Sequence, residues 1–293
     1  MHVIIDFFRL IRIKNLVIIL LTQLFAYYFL TPTIHLGNLL ETEFLFLISC
    51  TVLVAAAGYI INDYMDVMLD LVNKPEKVIV GKTIPRRWAM LLHFACSISA
   101  FIMAWSINKK VALMVLLCSL SLWIYSQLLK KTYLTGNILV ALLTSFTLWI
   151  IYVYNHNVNG AGIWVYSIFA FATTLLREII KDTEDLRGDQ KFKCRTLPIV
   201  VGIRKTKKVL IWIQSILIIL TFVYCSFFAA LSYSSSNVNM MFLMYMAGFV
   251  ILPMFLMLWL INTADVKNDF SKLSILSKVI MLSGIMSMVF WRF

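Results

Sequence analysis

Only nine aspartates occur among the 293 residues, and six of them fall into two matched groups: Asp63, Asp66 and Asp70, then Asp182, Asp185 and Asp189. In each group the acids recur at i, i+3 and i+7, a spacing that puts side chains on one face of a helix. Carboxylates crowded in this way repel one another at the edge of a low-dielectric medium, so a cation should neutralise them. A solvated helix face explains isolated acids well, but not two matching triplets. Hard divalent cations suit an all-oxygen site, magnesium in particular, because Mg²⁺ is usually held by a few carboxylates together with substrate phosphates. Two such clusters facing each other across a cavity would bridge metal ions to a diphosphate. The metals would stabilise its departure and so ease ionisation of an allylic C–O bond. An apolar cavity with aromatic faces would hold the isoprenoid tail and keep water from the cation.

Lysines near the triplets fit this chemistry. Lys130 and Lys131 close an apolar segment, and Lys74, Lys77 and Lys181 flank the acids, each a point charge suited to a diphosphate. The competing explanation for any one of them is topological anchoring at the membrane edge. The histidines, His2, His35, His93 and His156, lie away from the triplets, so no general base is assigned. The five cysteines show no CxxC pair and no Cys/His cluster, and they read as small buried hydrophobes.

The elements that position these residues must sit in a bilayer. With 61% hydrophobic and 14% charged residues, the chain has too little polar surface for a soluble domain. Gly and Pro are scarce, so the apolar runs read as helices and not as the strands of an outer-membrane barrel. A span needs about 20 apolar residues, and that template fits near 16–36, 44–61, 88–106, 111–129, 136–155, 161–180, 209–232, 240–262 and 273–291. The expectation is therefore an all-α polytopic membrane protein of about nine transmembrane helices, the first of them retained and not a cleaved signal.

Lys and Arg are unevenly distributed between the two faces. Of 26 basic residues, 23 fall on the side of the N-terminus, ten of them in 177–208, leaving Lys109, Lys110 and Arg292 opposite. That bias places the N-terminal side in the cytoplasm, and it accounts for the net charge of +12 through topology and membrane lipid, with no nucleic acid partner. Four spans separate the two triplets, so both emerge on that same face. The charged inner segments 62–87 and 181–208 are read as loops, and long polar connections in a compact helical protein are usually functional.

At these residues the sequence resembles the UbiA superfamily of intramembrane prenyltransferases. Asn62, Asp66 and Asp70 match its NxxxDxxxD motif, with Asp63 giving the NDxxD form, and Asp185 and Asp189 behind Asp182 match its second motif. Tyr125-Ser126-Gln127-Leu128-Leu129-Lys130, followed by Gly136-Asn137, resembles the family's YSxxLK stretch, whose Lys approaches the diphosphate. The resemblance implies nine helices around a central cavity capped by partly helical loops, with residues 1–293 forming one such membrane domain. It further implies Mg²⁺ as cofactor, an isoprenyl diphosphate donor and a lipophilic acceptor. Asn62, Asp66, Asp70, Asp182, Asp185 and Asp189 would be catalytic, with Asp63 joining the five other aspartates as metal ligands. Lys130, Lys74, Lys181 and Tyr125 would meet the diphosphate.

Finer similarity, in Asn73-Lys74-Pro75-Glu76-Lys77 and Arg177-Glu178-Ile179-Ile180-Lys181-Asp182, points to a branch that prenylates the hydroxyl of a geranylgeranylglycerol phosphate. Such an acceptor is anionic, which suits the basic 177–208 stretch. The alternative acceptor is an aromatic quinone precursor of the menaquinone or ubiquinone type. A cation-coupled transporter is the non-enzyme alternative, but it calls for acids at the bilayer midplane and broken helices, and these triplets lie at helix ends. The DGxxAR signature of the CDP-alcohol phosphotransferases is absent.

Overall fold

The computed structural model describes residues 2–231 and 236–291. The chain runs α1 (His2–Leu10), α2 (Ile13–Phe29), α3 (Thr42–Asn73), α4 (Arg86–Ile107), α5 (Lys109–Gln127), α6 (Thr135–Tyr154) and α7 (Gly160–Glu184). It continues through the short α8 (Leu186–Lys191) and α9 (Leu197–Val201), then α10 (Ile203–Leu231), α11 (Ser236–Tyr245), α12 (Leu252–Thr263) and α13 (Lys267–Met286). Among the described residues there is no β-strand, only an isolated bridge between Val80 and Ile84 around the positive-φ Gly81. Eight helices there are long and apolar enough to cross a membrane, and the 17-residue α2 is a shorter ninth. The fold is the all-α polytopic arrangement expected.

Several boundaries differ from the sequence reading: the seventh and ninth spans begin at Ile203 and Lys267, not at 209 and 273, and most of 181–208, read as a loop, is helical through the end of α7, α8, α9 and the start of α10. The first span stops at Phe29, where 16–36 was expected, because Thr31-Pro32-Thr33 turns the chain. The second does not end near 61: α3 continues for twelve more residues to Asn73, so the first triplet rides on a helix and not in a loop. Apolar Met65, Val67, Met68, Leu69, Leu71 and Val72 alternate with the acids there, and the acids turn towards protein partners. The eighth span is broken in register by a π segment, Met246–Ile251, just before Pro253, whose missing N–H and bulky ring disrupt a regular turn. Arg292 and residues 232–235, including the end of the expected 209–232 span, lie outside the described residues.

Lipid is as apolar as leucine, so burial alone does not hold these helices together, and interhelical hydrogen bonds and close packing do much of it. Buried Gln23 of α2 donates to Thr51 Oγ1 of α3 at 3.1 Å and to the Thr147 carbonyl of α6 at 3.0 Å. Ser145 of α6 donates to the Ser167 carbonyl of α7 at 2.9 Å, and Gln214 of α10 to the Met254 carbonyl of α12 at 2.9 Å. Such bonds contribute roughly 0.6–2 kcal/mol each in a membrane. Small residues bring helices together: Ala57 on α3 and Ala100 and Ala104 on α4 are buried in the most extensively packed helix pair, and Gly58 makes room for Leu122 of α5.

One apolar core joins α2 to α6 around Phe44, Leu47, Leu148 and Ile151, and a second joins α7 to α10–α13 around Ile179, Phe242, Met254 and Phe270. Trp105, Trp212, Phe255 and Trp259 face outward, as lipid contact requires. The two spans most enclosed by protein are α3 and α7, with 56% and 50% of their apolar windows buried against 17–39% for the others. These two carry the aspartates.

Candidate active site

The first triplet is positioned by α3 alone. Asp66 is buried and ion-pairs with Lys130, which stands in the 3₁₀ turn Leu129–Lys131 after α5. Lys130 Nζ also lies 3.4 Å from Asn62 Oδ1, one helical turn back. Burial opposes the Lys130 charge, but Asp66, Tyr125 and Asp70 hold the ammonium above the usual lysine value. Gly136 locks this turn in place, because a Cβ there would meet the Leu129 carbonyl oxygen at 2.6 Å and the Tyr125 ring at 3.1 Å. Asp63 accepts from Arg12 at 2.8 Å. Arg12 sits at the joint of α1 and α2 in the left-handed region, φ 52° and ψ 54°, a conformation that costs a non-glycine residue about 1 kcal/mol or more. Its guanidinium lies over the Tyr59 ring, 4.9 Å from the centroid.

The second triplet is split. Helix α7 ends at Glu184, Asp185 forms the joint, and Asp189 belongs to α8. Asp182 accepts from Asn137 Nδ2 at 2.8 Å. Lys74, just past the end of α3, reaches across to Asp185 at 2.8 Å and Glu184 at 3.2 Å. Burial pulls Lys74 down, yet Asp185 and Glu184 together keep it above the usual lysine value. Asn73 Oδ1 accepts from the Gly188 N–H at 2.8 Å, and a Cβ on Gly188 would collide with the Asn73 amide. The Asp189 carboxylate accepts from Thr196 Oγ1 at 3.4 Å, and burial pushes it up to about 6 despite the opposing field of Lys130. The backbone N–H of Arg195 donates to the Lys131 carbonyl at 2.8 Å, tying the segment after α8 to the Lys130 turn.

Both triplets open on one cavity of about 1360 Å³, and every candidate residue from the sequence lines it, Tyr125 and Lys181 included. Lys181 differs from Lys130 and Lys74 in its partner, for it pairs with Glu178 at 3.5 Å and not with a triplet aspartate. Away from the charges the wall becomes apolar through Val54, Met114, Leu122, Leu143 and Phe169. Small-molecule pockets usually run to about 300–1,000 Å³, so this space exceeds the need of one compact ligand.

The donor chemistry fits Mg²⁺: carboxylate oxygens from α3, α7 and α8, with Asp70 and Asp189 free of ion pairs among the described residues. Within those residues no three His, Cys, Asp or Glu side chains converge closely enough to hold an ion unaided. Lys130 and Lys74 draw Asp66 and Asp185 to themselves instead. That suits a metal which keeps several waters and completes its shell with substrate phosphate.

Sequence reasoning passed over two cations in this cavity, Arg12 and Lys278, counting both as topological charges. Their tertiary partners, Asp63 and Asn15, have no signature in local spacing. Asn73 is visible in the sequence only as part of a longer matching stretch.

An all-helical membrane protein with paired aspartate triplets and lysines at the mouth of an apolar cavity belongs to the class of intramembrane lipid-handling proteins. The chain is a member of the UbiA prenyltransferase family, which matches residues 18–282. Curated relatives include digeranylgeranylglyceryl phosphate synthase of Methanosphaera stadtmanae, 34% identical over 156 residues (53% of this chain, 57% of the relative). That of Korarchaeum cryptofilum is 35% identical over 154 residues (53% and 54%). The chain thus spans a little over half the length of the curated relatives it matches. A solved structure concerning digeranylgeranylglyceryl phosphate synthase in membranes superposes with a TM-score of 0.68 at 22% identity, covering 99% of each chain. A UbiA homologue from Archaeoglobus fulgidus bound to GPP and Mg²⁺ gives 0.64 at 16% identity, covering 97% of this chain and 99% of its own. These structural likenesses establish the fold.

Proposed function

We propose that this protein is a Mg²⁺-dependent prenyltransferase that moves a prenyl group from an isoprenyl diphosphate to a lipophilic acceptor, a hydroxyl of the geranylgeranylglycerol phosphate type. The observation that carries the reading is the meeting of both triplets, Lys130 and Lys74 at the polar end of one large apolar cavity. The names of the curated relatives favour the glycerol phosphate acceptor, and the GPP and Mg²⁺ bound to the structural neighbour favour the donor and the metal.

In this mechanism Asp66, Asp70, Asp182, Asp185 and Asp189, with Asp63 and Asn62 at the edge, would hold Mg²⁺ and the diphosphate. Bound Mg²⁺ would supply Lewis-acid stabilisation of the departing diphosphate. Lys130 and Lys74, held fully charged, leave their carboxylates for phosphate oxygens as the donor enters, while Tyr125 and Lys181 border the same space. The allylic C–O bond breaks, and the acceptor oxygen bonds to the prenyl carbon and loses its proton. Apolar walls keep water from competing for the cation. The basic residues that gather around the triplets support, by the positive-inside rule, a cytoplasmic position for this end of the site, in a membrane that we read as the plasma membrane of a prokaryote.

The test is a radiolabelled transfer assay with membranes, Mg²⁺ and geranylgeranyl diphosphate, offering geranylgeranylglycerol phosphate and an aromatic quinone precursor in parallel. Product from the glycerol phosphate alone is expected. Product from the aromatic compound alone would keep the donor chemistry and overturn the acceptor.

A further inference from the structure

Beside the donor machinery the cavity carries a second charged flank, which meets it at Lys181 and Asp63. Thr174, Arg177, Glu178 and Lys181 fall at i, i+3, i+4 and i+7 on α7, so they share one face, and all four line the cavity. Arg177 donates to Glu178 Oε1 at 2.6 Å and Lys181 pairs with Glu178 Oε2 at 3.5 Å, so two cations share one carboxylate. From α13, Lys278 enters the same space, and its Nζ donates to the neutral Asn15 Oδ1 at 3.1 Å. From the α1–α2 joint comes Arg12, balanced by Asp63. These four cations lie within electrostatic reach of one another. They face only Glu178 and Asp63 as direct ion-pair partners among the described residues.

Arg12 and Lys181 also lie in the fields of Asp70, Asp182 and Asp185, but two of the four cations have no carboxylate of their own, which is costly in a part-buried cavity unless an anion joins them. Topology does not account for them, since anchoring lysines snorkel to the interface and these side chains point into the cavity. A phosphate monoester, with a charge of about −1.5 to −2 near neutral pH, would match them. Two donors wait for such a group: Arg177 Nε and the hydroxyl of Thr174, itself 5% exposed, are buried without a hydrogen-bond partner among the described residues. An apolar wall leads away from the flank through Ala170 and Phe169 of α7, Met281 and Ile285 of α13, and Met288 just past the end of α13.

We propose that Arg12, Arg177, Lys181 and Lys278 form a site for the phosphate of an anionic lipid acceptor, whose chain lies along the α7–α13 wall. The inference rests on the prenyl-transfer reading above and adds where the second substrate binds. This flank is separate from the diphosphate site because its one central carboxylate is already shared by two cations and offers nothing to a bridging metal. Lys181 also feels Asp185, so it stands between the two flanks and can hold the acceptor hydroxyl within reach of the donor.

The experiment compares the wild type with Lys278→Met, Lys278→Arg and Arg177→Met in two assays. One measures binding of radiolabelled geranylgeranylglycerol phosphate to solubilised protein in chelator, without donor. The other measures steady-state transfer with Mg²⁺ and geranylgeranyl diphosphate. Losing a charged hydrogen bond should weaken the acceptor about tenfold or more in Lys278→Met, in both Kd and KM, with the donor KM unchanged. Lys278→Arg should restore most of it. Geranylgeranylglycerol, which lacks the phosphate, should not distinguish wild type from Lys278→Met. Lys278 bonds only a neutral amide, so its variant decides the matter even if Arg177→Met fails to fold. A wild type that binds and uses the phosphate lipid while Lys278→Met and Arg177→Met do so equally well overturns this site alone. A wild type that ignores the phosphate lipid but prenylates another acceptor overturns the acceptor reading and this site together.

Discussion

The first aspartate triplet rides on the unbroken α3, where helix geometry by itself aligns Asp63, Asp66 and Asp70. The second straddles the joint between α7 and α8, and contacts from elsewhere set it: Asn137 on Asp182, Lys74 on Asp185, Thr196 on Asp189 and Asn73 on Gly188. In the matched register Leu69 of the first motif corresponds to Gly188 of the second. The glycine is needed because Asn73, at the end of the first motif's own helix, lies against it. One triplet is therefore rigid by local structure, and the other is assembled on it.

The strongest test of this pairing removes one carboxylate from each side. Asp66→Ala and Asp185→Ala should each lower transfer by at least about a hundredfold, the scale of losing one electrostatic stabiliser, while both proteins insert and elute as folded species. Wild-type turnover in either one would sink the site assignment. Chelating divalent ions should silence the enzyme as completely, with added Mg²⁺ restoring it; activity that survives in chelator would refute the metal's role.

A smaller effect separates the two triplets. Gly188→Ala should displace α8 from Asn73 and cost up to about a hundredfold, as expected for misplacement of order 1 Å. Asn73→Ala combined with Gly188→Ala should be no worse than Gly188→Ala alone, because both changes act at one contact. Additive losses in a double-mutant cycle would show that α8 is held some other way.

The smallest effect is pH dependence. Asp189 in the metal-free protein protonates near 6, above the ordinary aspartate value, because burial disfavours its charge. Magnesium needs the carboxylate, so affinity should fall by about tenfold or more per unit below pH 6, with at least one proton competing with the ion. Mg²⁺ titrations from pH 5 to 7 check this; affinity that is level down to pH 5 would mean that Asp189 is not a ligand.

The amino-acid sequence by itself determined the membrane helices, their number and the shared face of the two triplets. These follow from the lengths of apolar runs, from the parity of spans and from the uneven Lys and Arg distribution, all of which act locally or through the bilayer. Tertiary structure decided the rest. That α3 runs on to Asn73, that α7 breaks at Asp185, and that Lys130 and Lys74 cross to aspartates 64 and 111 residues away depend on partners brought close only by packing. Arg12 and Lys278 show the limit most plainly. Each looks like an ordinary interfacial charge in sequence, and becomes part of a cationic flank because α2, α7 and α13 enclose the same cavity. The physical reason is that spacing fixes which face of a helix a side chain occupies, whereas its electrostatic partners depend on which helices pack beside that face.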